Sequence, residues 1–505
     1  MKINVKIASK ASKVLFDNII ILANNKAALA NEILNPSFME LLNISDLKDQ
    51  NLIKASAAIF TGDGDKAKST ELLLLKDDGS STRRVVIAVL PNTASRGNTP
   101  SRSYEVQSLV KGKKGSGSLS IHLCGLSNLN TETAQEFAYA QAISIGRCFP
   151  NYSLKSGQKD VTNDEVDIVI HFDNIDCNEI DNTIDGIRLA QRLVDTPPNI
   201  LHTDAYVEEA TQVASSIGCK IKVIKGEELD ILGFGGLWGV GKASEHLPAL
   251  VILSHIPENS SEKKSICLVG KGIVYDTGGL SIKVPPGMAG MKTDMGGSAA
   301  VLGGFLTIVR DNKVTRPVHA LLCISENSVG PLSTRPDDVH KLLSGKTVEV
   351  NNTDAEGRLV LSDGVFYASR ELNPEYIIDI ATLTGAQLIA TGKNHAALYC
   401  NDDELERIAV STGKETGDLT HPMPYAPEFY KPEFSSAVAD MKNSVKDRTN
   451  AQVSCAGQFI GNHLEKYLNN NGKWLHVDMA GPVEKAGRAT GFGVALLFKL
   501  TKNLN

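Results

Sequence analysis

Five nearly continuous apolar runs dominate the second part of the chain: 249–255, 265–270, 317–325, 376–383 and 474–480. Each has the length of a strand. Segments 204–217, 295–311, 358–372 and 451–468, which lie between or beside them, read as helices. A strand that is apolar on both faces must be covered on both faces, and intervening helices supply that cover, so an α/β fold with a central mixed sheet is expected. In such sheets ligand sites gather outside the carboxyl ends of the strands. Lys271 follows the run 265–270, and Thr382-Leu383-Thr384-Gly385 ends the run 376–383. Chemistry is therefore expected at those two places.

At 505 residues the chain is too long for one ordinary core. Its first part also alternates strands and helices. Lys2 to Ile7 alternates polar and apolar residues, 84–90 and 166–171 read as buried strands, and Thr131 to Cys148 reads as a helix. Residues 182–194 carry an apolar helical face of Ile184, Ile187, Leu189, Leu193 and Val194. Asp195-Thr196-Pro197-Pro198-Asn199 then stops the helix, because proline cannot continue it. The reading is a smaller N-terminal α/β domain at 1–181, a connecting helix and turn at 182–199, and a larger catalytic α/β domain at 200–505.

A net charge of -6 argues against broad attraction to nucleic acid or to an anionic membrane. Lys111, Lys113 and Lys114 read as a solvated loop. No run reaches the ~18 apolar residues of a membrane span, and the start lacks the layout of a signal peptide. The eight cysteines form no CxxC, and Cys267 and Cys323 fall in apolar runs as buried thiols would. A reducing compartment, the cytoplasm, is the expectation.

Two short stretches carry the chemistry. One runs from Gly270 to Lys283 and on to Asp294, and the other is Asn352-Thr353-Asp354-Ala355-Glu356-Gly357-Arg358-Leu359. Together they hold the carboxylates Asp276, Asp294, Asp354 and Glu356, with Lys271, Lys283, Lys292 and Arg358. Asp294 alone is equally a helix cap, and Asp354 or Glu356 alone is a turn residue. Four clustered acids repel one another unless cations neutralise them, and their charge matches two divalent metals. That pattern points to a paired-metal hydrolytic site with mostly oxygen ligands. The histidines form no HExxH or other close ligand pair, which argues against a histidine-zinc protease, and His319 and His476 read as core residues. Gly236 to Ala243 nearly spells a P-loop but ends in Ala where a hydroxyl should hold magnesium, so it reads as a plain loop before 249–255. Gly233-Phe234-Gly235 lacks the third glycine of a dinucleotide fingerprint.

At these residues the chain resembles the M17 leucyl aminopeptidase, or cytosol aminopeptidase, family. Asn352 to Leu359 (NTDAEGRL) is that family's most specific signature, and the spacing of Lys271, Asp276, Lys283 and Asp294 also fits. The resemblance spans roughly 185–495 and includes Asp195 to Asn199, Ser344 to Thr347, Ala381 to Gly385 and Ala489 to Gly491. The first ~180 residues are similar in layout only, which implies a smaller macro-domain-like α/β domain. Ser325 to Gly330 and Arg335 to Asp338 look closer to the probable-aminopeptidase-like branch.

The resemblance implies two metals per chain, zinc foremost, with manganese, magnesium or cobalt as alternatives. It implies that Asp276 and Glu356 bridge them, that Asp354 completes one shell, and that Lys271, as a neutral amine, and Asp294 complete the other. Lys283 is implied to stabilise an oxyanion, and Arg358 to hold a bicarbonate that acts as general base. Lys292 receives no role. Met291, Thr382, Leu383 and Gly385 are implied to line the substrate pocket. The expected activity is release of N-terminal residues from peptides by a homo-hexamer. A two-metal phosphoesterase and a non-catalytic binding or scaffold protein that keeps the fold are the alternatives.

Overall fold

The computed structural model describes residues 1–11, 15–60, 66–76, 81–156, 165–258, 260 and 263–505. The chain divides into two compact units. One is Met1–Ile184 with Gly413–Gly417, and the other is Asp185–Thr412 with Asp418–Asn505. The division falls inside the helix Cys177–Asp195, which ends at Asp195 where the two prolines follow.

The first unit is built on a six-stranded mixed sheet. In spatial order its strands are Lys2–Ile7, Glu165–Ile170, Leu119–Cys124, Asn18–Ala23, Thr82–Val89 and Lys68–Leu75. All neighbours pair in parallel except Lys68–Leu75, which closes the edge antiparallel to Thr82–Val89. The central strands Asn18–Ala23 and Leu119–Cys124 are buried along their whole length. Lys111 and Lys113 lie in the last turn of the helix Ser103–Lys113 rather than in a loop. There their charge complements the carbonyl end of the helix.

The second unit holds an eight-stranded mixed sheet. Its order is Thr420–Pro422, Ala396–Cys400, Lys473–Asp478, Pro374–Ala381, Ser265–Asp276, Val318–Asn327, Ala249–His255 and Lys220–Lys225. The four strands from Lys473–Asp478 to Val318–Asn327 run parallel, so their carboxyl ends share one edge. The buried helices Gly296–Asp311 and Gly357–Glu371 both contact the central strand Ser265–Asp276. Cys267 and Cys323 are fully buried in this sheet, as expected. His319 is buried with Nδ1 2.8 Å from Ser254 Oγ, and His476 is buried with Nδ1 2.5 Å from Asp379 Oδ1.

Three local expectations are corrected. The strand at 265–270 runs on to Asp276, because Val318–Asn327 keeps pairing with it as far as Asn327 opposite Asp276. Lys271 is thus inside a strand, not after one. The helix at 451–468 is broken into Gln452–Gly461 and Glu465–Asn469, since between them the His463 side chain turns inward, its Nδ1 2.7 Å from Ser344 Oγ. The P-loop-like stretch is not a loop but the short helix Gly235–Gly241. Its glycines serve close packing: a Cβ on Gly235 would strike the Lys341 carbonyl, and one on Gly236 the Leu359 carbonyl. The Asp363 carboxylate caps it, accepting from the N–H groups of Gly236 at 2.8 Å and Leu237 at 2.9 Å.

Candidate metal centre

All four acids of the two stretches reach one cleft of about 590 Å³ at the carboxyl ends of the parallel strands. Asp276 is the last residue of Ser265–Asp276, and Lys271 lies within the same strand. Asp294 sits in the 3-10 turn Met291–Met295 that leads into Gly296–Asp311. Asp354 and Glu356 sit in the turn before Gly357–Glu371. Lys271, Lys283, Arg358, Met291, Thr382, Leu383 and Gly385 line the same cleft, so every residue singled out above as a site residue is brought together.

The backbone makes this convergence possible at two glycines. Gly278 and Gly279 have φ of +85° and +63°, in the left-handed region that glycine enters freely. A Cβ on Gly278 would lie 2.6 Å from the Ser281 carbonyl and 2.9 Å from Asp354 Oδ1. The two stretches are laced together by Thr353. Its hydroxyl donates to the Gly278 carbonyl at 2.6 Å and accepts from the Ser281 N–H at 2.7 Å.

Charge is compensated pairwise. Lys271 Nζ is 2.9 Å from Asp294 Oδ1, 2.9 Å from Glu356 Oε1 and 2.9 Å from the Thr382 carbonyl. Lys283 Nζ is 2.7 Å from Asp276 Oδ2 and 2.5 Å from Asp354 Oδ1. Burial pushes both amines toward neutrality, but the carboxylates outweigh it and hold both above the usual lysine range. Burial and the neighbouring acids hold the Asp294 carboxyl well above its usual range, against the pull of Lys271. Burial and Asp276 likewise raise Glu356, and burial raises Asp354. Two ammonium groups do not balance four carboxylates, so the cluster as built draws further positive charge, as protons on the raised carboxyls or as a bound cation.

The unpaired atoms point the same way. Asp294 Oδ2 and Glu356 Oε2 are buried and, among the described residues, without a hydrogen-bond partner. Asp276, Asp294 and Glu356 each offer an oxygen within 4.8 Å of the others. Leaving such oxygens bare is costly, and a cation removes the cost. The donor set of carboxylates plus one amine fits a divalent ion. Arg358 is buried, donates from Nη1 to the Asn443 carbonyl at 3.0 Å, and leaves its buried Nε without an acceptor among the described residues. Burial lowers its pKa to about 10, so it remains a cation near neutral pH and can face a small anion.

Several positioning residues carried no signal in the sequence reading. Asn327 donates to Asp276 Oδ1 at 2.8 Å and to the Thr353 carbonyl at 3.1 Å, tying the strand end to the second stretch. Asn443 donates to the carbonyls of Asn352 at 2.7 Å and Ala355 at 3.2 Å. Asp478, at the end of the neighbouring strand, accepts from the Leu383 N–H at 3.1 Å and the Thr384 hydroxyl at 2.7 Å, which shapes the pocket turn. Lys292 donates to the Asp195 carbonyl at 2.7 Å, and the Asp195 carboxylate accepts from the Ala489 N–H at 2.9 Å. Lys292 therefore ties the Met291–Met295 turn to the proline-terminated end of the long helix.

Fold and cleft are those expected of the leucyl aminopeptidase family, and the comparisons with known proteins agree on the family. Residues 188–498 match the cytosol aminopeptidase family catalytic domain. Residues 44–158 match the M17 aminopeptidase N-terminal domain 2, so the likeness of the first part is one of sequence and not of layout alone. The chain belongs to the M17 cytosol aminopeptidase family. It is 48% identical over 425 residues to the probable aminopeptidase NPEPL1 of Homo sapiens, covering 82% of this chain and 79% of that protein. It is 43% identical to leucine aminopeptidase 1 of Caenorhabditis elegans, covering 82% and 83%. Among solved structures, C. elegans leucine aminopeptidase LAP1 superposes with a TM-score of 0.87 at 35% identity, covering 100% of this chain and 98% of that one. Leucyl aminopeptidase from Trypanosoma brucei in complex with bestatin gives 0.87 at 36%, covering 99% and 95%. Among the described residues no helix is long and apolar enough to cross a membrane.

Proposed function

We propose that this chain is an active aminopeptidase that hydrolyses the first peptide bond of short peptides in the cleft. The observation that carries the reading is the pair of bare buried oxygens, Asp294 Oδ2 and Glu356 Oε2, in a cluster of four acids and two lysines. Asp276 and Glu356 would bridge two divalent ions, zinc foremost and manganese, magnesium or cobalt as alternatives. Asp354 would complete one shell, and Lys271 and Asp294 the other. Bound there, the ions supply Lewis-acid polarisation of the scissile carbonyl and activation of water.

The chain's own groups do the rest. Lys283, whose ammonium is held protonated between Asp276 and Asp354, offers positive charge to the oxygen that becomes negative. Arg358 would hold a bicarbonate ion, which would supply a general base in a cleft that no histidine lines among the described residues. Lys271 must shed its proton to act as a ligand, and the solvent receives it. Met291, Thr382, Leu383 and Gly385 cradle the side chain of the residue released. With metal bound, the cleft would also accept a substrate's free amine as a neutral donor, which would restrict cleavage to the first bond. The family name and the M17 resemblance support a cytoplasmic homo-hexamer.

The test is a panel of aminoacyl amides and one peptide, free and N-acetylated, assayed after metal removal and refilling with Zn²⁺, Mn²⁺, Mg²⁺ or Co²⁺. Metal-restored cleavage of the free peptide from its N-terminus is expected, with the acetylated form resistant. Turnover of phosphate esters without peptides would favour the phosphoesterase, and metal binding without any turnover the scaffold.

A further inference from the structure

The first unit has its own cluster at the carboxyl ends of its parallel strands. Cys124 is the last residue of Leu119–Cys124, and His171 directly follows the adjacent strand Glu165–Ile170. Glu32 reaches them from the helix Lys26–Leu34. One donor atom from each of the three lies within 4.8 Å of the others. His171 Nδ1 is 3.8 Å from Glu32 Oε1, too far for a hydrogen bond. Two donors on one tetrahedral ion sit about 3.3–3.7 Å apart for bonds of about 2.0–2.3 Å. The observed separation is thus close to that of a shared ion.

We propose that Glu32, Cys124 and His171 bind a zinc-class divalent transition-metal ion, at a site built without any residue of the cleft. Three features support it beyond proximity. The donor set of one carboxylate oxygen, one imidazole nitrogen and one thiol sulfur is the mixture that zinc-class ions take and that magnesium and calcium do not. The ring of His171 is held from behind: its Nε2 is 3.1 Å from His122 Nδ1, and His122 Nε2 is 2.8 Å from Ser120 Oγ. When His171 Nε2–H donates to His122, the Nδ1 lone pair faces Glu32, the arrangement by which an outer partner orients a metal-binding histidine. Finally, a cavity of about 390 Å³ lined by Glu32, His171, Asp173, Ser9 and Ser127 gives an ion access and room for a water as the remaining ligand. On binding, the Cys124 thiol proton leaves to solvent and the thiolate sulfur bonds the ion.

The experiment uses the full chain, stripped of metal and titrated with Co²⁺. A thiolate bound to Co²⁺ gives a near-ultraviolet charge-transfer band, whereas no cysteine lines the cleft among the described residues. The band is expected in the parent protein and in Asp276→Ala, and its loss is expected in Cys124→Ser with one fewer ion bound per chain. Glu32→Gln and His171→Gln should each weaken the binding that produces the band by on the order of tenfold or more. Glu32→Gln should leave peptide hydrolysis unchanged. Should Cys124→Ser fail to fold, these two variants decide the matter. No band in the parent, a band that survives Cys124→Ser, or unaltered affinity in both other variants overturns the proposal. The readout is independent of peptide hydrolysis, so either reading can fail alone.

Discussion

The two sheets handle buried polar groups at their carboxyl ends in opposite ways. The eight-stranded sheet packs its groups against partners of opposite sign: four acids face two ammonium groups at 2.5–2.9 Å, the acids hold both lysines above their usual range, and burial raises Asp294, Glu356 and Asp354 against the pull of those lysines. The six-stranded sheet silences them: burial lowers the pKa of His171 to about 4 and that of His122 well below the usual histidine range, so the pair is neutral. Burial opposes charge in both places. What differs is the number of compensating partners within reach. A crowded cleft of mixed charge is suited to polarising a substrate, while neutral imidazoles are suited to donating a lone pair.

The strongest way to break this contrast is to remove one of the acids proposed to bridge two ions. Asp276→Ala or Glu356→Ala should abolish peptide hydrolysis and weaken metal binding in the cleft by more than about 100-fold, because each change would disturb both of the proposed metal shells at once. Near-normal turnover with a full complement of metal, measured by elemental analysis, would defeat the assignment.

Next in size is Lys283→Ala. If its charge acts on the developing oxyanion, the rate should fall by on the order of 10²–10³ with metal content unchanged. Loss of metal alongside activity would make Lys283 structural instead.

The neutral pair can be tested by pH in the metal-free protein. A histidine whose folded pKa lies below its unfolded value keeps fewer protons when folded. Stability is therefore undiminished above about pH 6.5 and declines as pH falls toward about 4, by up to about 1.4 kcal/mol per pH unit for each histidine. Burial raises the Glu32 carboxyl, which opposes this at the acid end. The opening free energy obtained from hydrogen exchange of the strands Leu119–Cys124 and Glu165–Ile170 should fall between pH 7 and pH 5, and His122→Asn should flatten that dependence. A pH-independent exchange free energy would show that the imidazoles are not silenced by burial.

The smallest effect sharpens the charged side of the contrast. Alanine normally stabilises a helix over glycine by about 1 kcal/mol. At Gly357, the first residue of its helix, a Cβ would lie 2.5 Å from Lys271 Cε and 2.7 Å from Nζ. Gly357→Ala should therefore destabilise by about 1–3 kcal/mol, read as a lower denaturant midpoint. It should also lower activity by displacing the amine. A more stable variant would mean that Lys271 has room to move.

Sequence alone determined the apolar strands of the second unit, their cover by helices and the two stretches whose acids line the cleft. Those properties are local: a strand buried on both faces must be apolar throughout, and a signature whose members lie within a few residues of one another is read without folding the chain. The helix Gly235–Gly241 was misread because its cap, Asp363, lies far along the chain, and because its glycines answer to the Lys341 and Leu359 carbonyls rather than to any local turn. Asn327, Asn443, Asp478 and Lys292 escaped for the same reason. Each acts on a backbone group or carboxylate that only the tertiary fold brings near, and an isolated Asn or Lys carries no periodicity. The proximity of Cys124 to His171 likewise exists only because two strands distant in sequence lie side by side in one sheet. Residue type and spacing can specify which chemistry is on offer; which buried atoms are left bare, and therefore where a cation is drawn, is decided only once packing has assigned every other partner.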